Sequence, residues 1–264
     1  MTARSGEASL PWLAAGIDLL FPPCCRLCGR EAEPGRRADR TDWPDGVIRS
    51  SRFCAPCTVT LATGPVRCGR CAAPGESDGC HSCRGRGADH DGIVVLGGYE
   101  GLLREAVLRA KRPAGRDIAE GLAELLHARH ADALAAWRID TVVPVPMHWR
   151  RRFLRGSSAA DVLAAAIARA ARSPCVRVLR RSRATVMQNR LPRGARRDAV
   201  RGAFAARPGT LEGRRVLLVD DVLTTGGTVA ACRQTLVAAG AAAVFAAVVA
   251  KADLGDDDPD GSVE

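Results

Sequence analysis

The chain has 264 residues, of which 47% are hydrophobic, and this suffices for one large or two modest domains with a real core. Its formal net charge is +10, so its surface should attract anions such as phosphates, nucleotides or nucleic acid. No run reaches the roughly 18 uncharged apolar residues of a membrane span. The apolar stretch 10–21 is interrupted by Asp18 and lacks a small-residue cleavage site. We therefore expect no signal peptide, no membrane span and a cytoplasmic protein.

Eight of the eleven cysteines form four Cys-x-x-Cys pairs in the first third of the chain: Cys25/Cys28, Cys54/Cys57, Cys68/Cys71 and Cys80/Cys83. Two intervening residues allow both thiolates to point into one turn at the ~2.3 Å of a zinc–sulfur bond, and two such turns complete a tetrahedron. Eight ligands predict two Zn2+ ions. Consecutive and interleaved pairing of the four motifs both remain open. Because a closed four-sulfur site leaves no position for a substrate, we expect the zinc to be structural.

The remaining cysteines and a nearby histidine are weaker candidates for metal binding. Cys24 is an alternative to Cys25, and His81 lies between two ligands. Cys175 and Cys232 lie in apolar surroundings, where we expect buried thiols that behave as small hydrophobes. The charged segment 30–52 is expected to be a flexible insertion between the first two motifs.

From residue 91 onward, predicted strands alternate with predicted helices. Apolar runs predict strands at 92–99, 140–146, 175–181, 214–221 and 242–250, and helical periodicity predicts helices at 102–111, 116–137, 159–171 and 228–240. This alternation indicates an α/β domain with a mainly parallel sheet flanked by helices. We expect a zinc module with a short leading amphipathic helix over residues 1–90, the α/β domain with a core of its own over 91–252, and an acidic disordered tail over 253–264.

The stretch LLVDDVLTTGGTV, residues 217–229, carries the clearest chemical signal. A buried strand delivers Asp220 and Asp221 to the carboxyl edge of the sheet, where ligands bind in such folds. The tract that follows comprises Thr224, Thr225, Gly226, Gly227 and Thr228. Its glycines allow close approach of an anion, and the helix it opens offers N–H groups. The pattern predicts a monophosphate cradle beside two carboxylates, whereas an ordinary threonine N-cap would not explain the paired acids.

This stretch resembles the phosphoribosyl pyrophosphate (PRPP) signature of type I phosphoribosyltransferases. Segments 99–119, 142–156, 185–193 and 200–204 are similar, in order, to successive motifs of the ComF family. That family joins an amino-terminal cysteine zinc module, a double zinc ribbon, to a type I phosphoribosyltransferase-like domain. The resemblance runs from Cys25 to about Ala250. It implies binding of PRPP with Mg2+ and a link to the uptake of single-stranded DNA in natural competence.

The resemblance also implies roles for individual residues. Asp220 and Asp221 would be the catalytic pair that holds the ribose hydroxyls, directly or through Mg2+, and residues 224–228 would hold the 5′-phosphate. The basic positions that would face the pyrophosphate are Lys111, His148, Arg151 and Arg155. The positions that match the mobile segment of related enzymes are Thr185, Gln188 and Arg196.

The chain departs from the family pattern at residues 157–159, where the family usually has amide side chains and this sequence has Ser-Ser-Ala. A site without complementary polar groups cannot favour a nucleobase over water. We therefore expect no turnover with free nucleobases.

Two hypotheses about function follow. The first is an enzyme that transfers phosphoribosyl from PRPP to an unknown acceptor, with arginines and Mg2+ stabilising the leaving pyrophosphate. The second is a nucleic-acid-associated protein that uses the fold for binding, with single-stranded DNA or competence and recombination proteins as partners. Nine arginines between Arg177 and Arg201 would offer a surface that tracks phosphates. Against this, aromatic residues, on which bases stack, make up only 4% of the chain.

Overall fold

The structure, a computed structural model, describes residues 24–31, 50–75, 80–83, 90–147, 158–181 and 202–252. Several predicted features lie outside these ranges: the leading helix at 10–21, His148, Arg151, Arg155, Thr185, Gln188, Arg196, most of the insertion 30–52, and the tail 253–264.

The described elements follow the predicted alternation from residue 92 onward. The helices are α1 (Ala55–Ala62), α2 (Gly101–Ala110), α3 (Arg116–Arg129), α4 (Ala131–Ala136), α5 (Ala159–Ala170) and α6 (Gly227–Ala238). The strands are β1 (Gly92–Gly98), β2 (Thr141–Pro144), β3 (Arg180–Arg181), β4 (Phe204–Ala205), β5 (Arg215–Leu223) and β6 (Ala243–Lys251).

Four strands form one parallel sheet in the order β1-β6-β5-β2, and β3 pairs with β4 in a small antiparallel sheet. Helices α2, α3 and α5 cover one face of the parallel sheet, and α6 with the small sheet covers the other. Coverage on both faces explains why β6 reads as a nearly continuous apolar run. The predicted fold class, an α/β domain with a mainly parallel sheet flanked by helices, is confirmed.

Two predicted elements differ from the observed ones. The long helix predicted over 116–137 is broken at His130, whose backbone leaves helical geometry (φ −119°, ψ 26°) and whose Nε2–H donates to the Val95 carbonyl over 3.0 Å. Burial lowers the pKa of His130, which favours this neutral form. The strand predicted over 175–181 is limited to a bridge at Cys175 and the two residues of β3.

The two isolated cysteines also differ from each other. Cys232 is fully buried on α6, as predicted. Cys175 is exposed, so the prediction of a buried thiol was wrong at that position. The reason is that Cys175 lies beside β2, where a single bridge joins it to the sheet and leaves its side chain uncovered.

The first third of the chain shares its core with the α/β domain. Leu27, Phe53 and Leu61 belong to the same buried cluster as the apolar faces of α3 and α5. Gly121 on α3 makes room for this contact, since a Cβ there would lie 2.6 Å from the Phe53 ring. The expectation of two separate cores was therefore wrong.

The open edge of β1 is occupied by groups from outside the sheet. The Ile93 N–H donates to the Gly69 carbonyl over 2.9 Å, and the Val95 carbonyl accepts from His130.

Within the described ranges, no helix is both long enough and apolar enough to cross a membrane.

Candidate active site and cysteine clusters

The two acids lie near the carboxyl end of β5, and the strand continues past them. Asp220 is in register with Val248 of β6, and β5 ends only at Leu223. The Asp221 backbone N–H donates to Asp220 Oδ1 over 2.9 Å. Both are partly exposed at the edge where ligands bind in parallel sheets.

The charges around Asp220 do not balance. Burial, and then the charge of Asp221, raise the pKa of Asp220 from 3.8 to about 7. Lys111 and Arg181 oppose this shift but do not cancel it. Lys111, at the end of α2, places Nζ 3.4 Å from Asp221 Oδ2. This edge of the sheet therefore offers carboxylate oxygens whose charged form would be stabilised by a cation or by hydroxyl donors.

Arg181 is a site residue that the sequence did not single out. It stands in the run of nine arginines, where no pattern distinguishes one from the next. The pairing of β3 with β4 brings it to the acids, and its guanidinium lies 5.7 Å from the centre of the Phe204 ring. Arg181 could have been identified only from its pairing with Phe204, which lies 23 positions later in the sequence.

The Thr/Gly tract turns directly from β5 into α6. Gly226 has φ +80°, a left-handed conformation that favours glycine, and α6 begins at Gly227. Among the described residues, no side chain caps this helix. The first N–H groups of any helix lack partners within it, so they are available to an anion beside the two acids. Thr224 is exposed, whereas Thr225 and Thr228 are partly covered.

The structure brings together Lys111, the acid pair and residues 224–228 at one edge of the sheet. The neighbouring strand β2 ends at the same edge, where the Val145 N–H donates to the Val219 carbonyl over 2.9 Å. The remaining predicted site residues lie outside the described ranges.

Ser158, just beyond the predicted basic loop, is fully engaged in capping α5. Its Oγ accepts from the Asp161 N–H and donates to Asp161 Oδ2, both over 3.0 Å. Arg177 Nε donates to the other carboxylate oxygen of Asp161 over 2.8 Å. At this departure from the family pattern, the serine serves the helix terminus rather than a ligand.

Eight cysteines form two clusters, in which all four Sγ atoms lie within 4.8 Å of one another. The first cysteine cluster comprises Cys25, Cys28, Cys54 and Cys57, and the second comprises Cys68, Cys71, Cys80 and Cys83. The motifs therefore pair consecutively. Neither Cys24 nor His81, both exposed, belongs to a cluster.

The sulfur spacing in both clusters suits one metal ion each. The Sγ–Sγ distances are 3.7 Å for Cys28–Cys54, 3.8 Å for Cys68–Cys83 and 3.6 Å for Cys71–Cys80. A regular tetrahedron with 2.3 Å zinc–sulfur bonds has edges of about 3.8 Å. These clusters could bind zinc.

The first turns of the two clusters have the same backbone. In the first knuckle, residues 25–28, the Gly29 N–H donates to Cys25 O over 2.9 Å, and in the second knuckle, residues 68–71, the Ala72 N–H donates to Cys68 O over 2.8 Å. The residue after each knuckle is left-handed, with φ +72° at Gly29 and +61° at Ala72. Their attachments to the rest of the molecule differ.

The fold and the acid edge define a protein of the phosphoribosyltransferase class. A model of the phosphoribosyl transferase domain matches residues 114–263, more than half of the chain, which therefore belongs to that family. The DNA utilization protein YhgH of Escherichia coli strain K12 is 30% identical over 200 residues, covering 73% of this chain and 87% of that protein. The protein of the same name from Salmonella typhi is 30% identical over 202 residues. Together with the two cysteine clusters, these matches confirm membership of the ComF family.

Two further similarities are more limited. An adenine phosphoribosyltransferase of Nocardia farcinica is 67% identical over 39 residues, which cover 15% of this chain and 20% of that enzyme. A structure of Leishmania donovani UMP synthase aligns with a TM-score of 0.33 and 22% identity over 58% of this chain and 25% of that one. That structural likeness is too remote to bear on function.

Proposed function

We propose that the chain binds PRPP with Mg2+ at the carboxyl edge of the parallel sheet and transfers its phosphoribosyl group to an acceptor. The observation that carries this proposal is the juxtaposition of the Asp220–Asp221 pair with the N-terminus of α6, which no described side chain caps. A ribose 5-phosphate needs both features, because its hydroxyls donate to carboxylates and its phosphate accepts from backbone N–H groups.

Each described residue has a defined task in this proposal. The carboxylates of Asp220 and Asp221 accept from the ribose hydroxyls, and the N–H groups of residues 226–228 hold the 5′-phosphate. Lys111, held against Asp221 in the free protein, is a point charge that can turn towards the pyrophosphate. The two carboxylates also provide the oxygen ligands that Mg2+ prefers, and the ion would balance the charge of the leaving pyrophosphate when bound.

Calorimetry with PRPP and Mg2+ tests the proposal. Charged hydrogen-bond acceptors contribute roughly 1.5–3 kcal/mol each, so Asp220→Asn combined with Asp221→Asn should weaken binding about a hundredfold or more. A matched control removes two acids elsewhere, at the exposed Asp132 and Glu212. Equal affinity of the acid-pair variant and the parent would rule the site out.

The acceptor is best sought outside the free nucleobases. The Ser158 hydroxyl already forms the hydrogen bonds of the capping box with Asp161. At that position, the described part of α5 therefore offers no free hydroxyl to a base. We expect no release of pyrophosphate when adenine, guanine, hypoxanthine, uracil or orotate is added with PRPP. Robust release with any one of them would contradict this expectation.

We also propose that each cysteine cluster holds one structural zinc ion. The sulfur spacing supports this, and a four-sulfur set leaves no open position for a substrate. Elemental analysis should give about two zinc ions per chain. Thiols that titrate fully without a chelator would contradict it.

A role in handling single-stranded DNA is the second candidate, favoured by relatives named DNA utilization proteins and by the net charge of +10. Binding of a labelled oligonucleotide, measured by anisotropy across salt concentrations, tests it. A steep salt slope that PRPP leaves unchanged would indicate an electrostatic site separate from the acid edge. Absence of binding at low salt would exclude direct contact with DNA.

A further inference from the structure

The first knuckle, residues 25–28, holds both helices that flank Lys111. On one side, Arg109 in the last turn of α2 donates from Nη2 to the Arg26 carbonyl over 2.9 Å and from Nη1 to the Leu27 carbonyl. On the other side, Arg26 Nε lies 3.1 Å from Asp117 Oδ2 in the first turn of α3. The loop between these helices is thus fixed at both ends to the residues that carry Cys25 and Cys28.

The loop itself, residues 111–115, is too tight to absorb a movement of its ends. The Arg112 N–H donates to Arg109 O over 3.0 Å, and the Gly115 N–H donates to Arg112 O over 2.9 Å. Gly115 is packed so closely that a Cβ would lie 2.2 Å from the Arg109 carbonyl oxygen. A displacement of Arg109 must therefore move Lys111, whose Nζ contacts Asp221.

We propose that Arg109 is a positioning residue that couples metal binding in the first cysteine cluster to PRPP binding at the acid edge. This inference rests on the proposed function. The carbonyls of Arg26 and Leu27 lie between two ligands of one cluster, so they point at Arg109 only while Cys25 and Cys28 are held together. Loss of the metal releases these carbonyls, frees the end of α2 and misplaces Lys111.

The second cluster has no equivalent link to this loop among the described contacts. The Gly69 carbonyl of its knuckle accepts from Ile93, near the start of β1 and away from the edge that carries the acids. The coupling is therefore specific to one of two chemically identical clusters.

Coupling between two binding sites is reciprocal, so PRPP must in turn retain metal in the first cluster. The test uses the zinc-loaded full chain in excess Mg2+, with and without PRPP, challenged by a pyridine-based zinc chelator. Cysteines that become free are alkylated at intervals, and mass spectrometry assigns them to each cluster. We expect PRPP to slow alkylation of the first cluster at least about fivefold and to leave the second unchanged.

Three variants assign the effect. Arg109→Met removes both donors and should abolish the protection, whereas Arg109→Lys should restore part of it. Arg104→Met is the matched control, because Arg104 lies on the same helix but with its guanidinium 6.0 Å from the Tyr99 ring centre. The Asp220→Asn, Asp221→Asn variant should show no protection, which excludes direct capture of zinc by PRPP.

The outcomes separate this inference from the function on which it rests. If calorimetry on the same samples shows PRPP binding while both clusters, or neither, are protected, the coupling is wrong and PRPP binding stands. If the parent does not bind PRPP, the proposed function fails and the coupling fails with it. If Arg109→Met does not fold, the alkylation rates of the two clusters in the parent, with and without PRPP, still test the coupling.

Discussion

Carboxylates crowd together in two regions of this protein, with opposite consequences. On α3, Glu120 lies within ion-pair distance of Arg52, Arg116 and Arg169, although its side chain is only 10% exposed. At the end of β5, Lys111 is the ion-pair partner of Asp221, and burial followed by the charge of Asp221 raises the pKa of Asp220 to about 7. We call the first region the docking face; it comprises Arg52 and Phe53 of the cysteine module and Asp117, Glu120, Gly121 and Glu124 of α3. Its acids form ion pairs that hold the cysteine module. In the second region, the carboxylates lower the stability of the folded protein, and a bound ligand would remove that cost.

The largest effect should come from removing a cysteine of the first cluster, for which we propose zinc binding and which supports the docking face. Cys57→Ser should destabilise the whole chain by several kcal/mol, because Cys57 lies in the core shared with α3. Cys80→Ser should have a much smaller effect on the main unfolding transition, since the second cluster contributes little to that core. Thermal unfolding followed by circular dichroism compares them, and equal midpoints for both variants would contradict this ranking.

The docking face depends next on Arg52, which reaches three acids. Its guanidinium contacts Glu120, lies 3.6 Å from Asp117 Oδ1 and lies 3.4 Å from Glu124 Oε1. Arg52→Met leaves a buried Glu120 with fewer partners and should cost about 1–3 kcal/mol. Urea unfolding measures the loss, with Arg104→Met as a control that should change stability little. A cost no larger than that of the control would mean that these ion pairs are not structural.

Packing on the docking face gives a similar or smaller effect. Gly121→Ala places a methyl group against the Phe53 ring and should cost about 1–2 kcal/mol, despite the better helix propensity of alanine. Phe53→Leu removes the ring, so in that background Gly121→Ala should become neutral or favourable. Additive costs in the double variant would show that the two residues do not compete for this space.

At the acid edge, neutralising a carboxylate should stabilise the protein. The folded chain keeps the proton of Asp220 to higher pH than the unfolded chain does, so Asp220 lowers the free energy of unfolding as pH rises from 3.8 towards about 7. Asp220→Asn should therefore have a small advantage in melting temperature over the parent, larger at pH 8 than at pH 5. Asp132→Asn, at an exposed position, serves as the matched control, and an advantage of Asp220→Asn that stays constant across pH would count against the raised pKa.

Much of the fold and part of the site could be predicted from the sequence because their signals are local. The apolar run of β6, the two acids of β5 and the spacing of the Cys-x-x-Cys motifs each lie within a few consecutive residues. The docking face could not be predicted, since Arg52 and Glu120 are 68 positions apart and each alone reads as an ordinary exposed charge. Arg181 was missed for the same reason. The family resemblance supplied Lys111, which no local pattern distinguishes.

The second knuckle has a consequence for how copies of this chain meet in solution. An uncovered outer strand is a template on which another polypeptide can add its own strand. Along β1, the Gly69 carbonyl and the His130 imidazole occupy the Ile93 N–H and the Val95 carbonyl, two of the groups that a visiting strand would need. The turn at residues 68–71 thus occupies part of the edge of β1, and a chain without that turn would leave this edge open to strand pairing with another copy. We therefore expect the second cluster to disfavour edge-to-edge association of copies, independently of any chemistry at the acid edge.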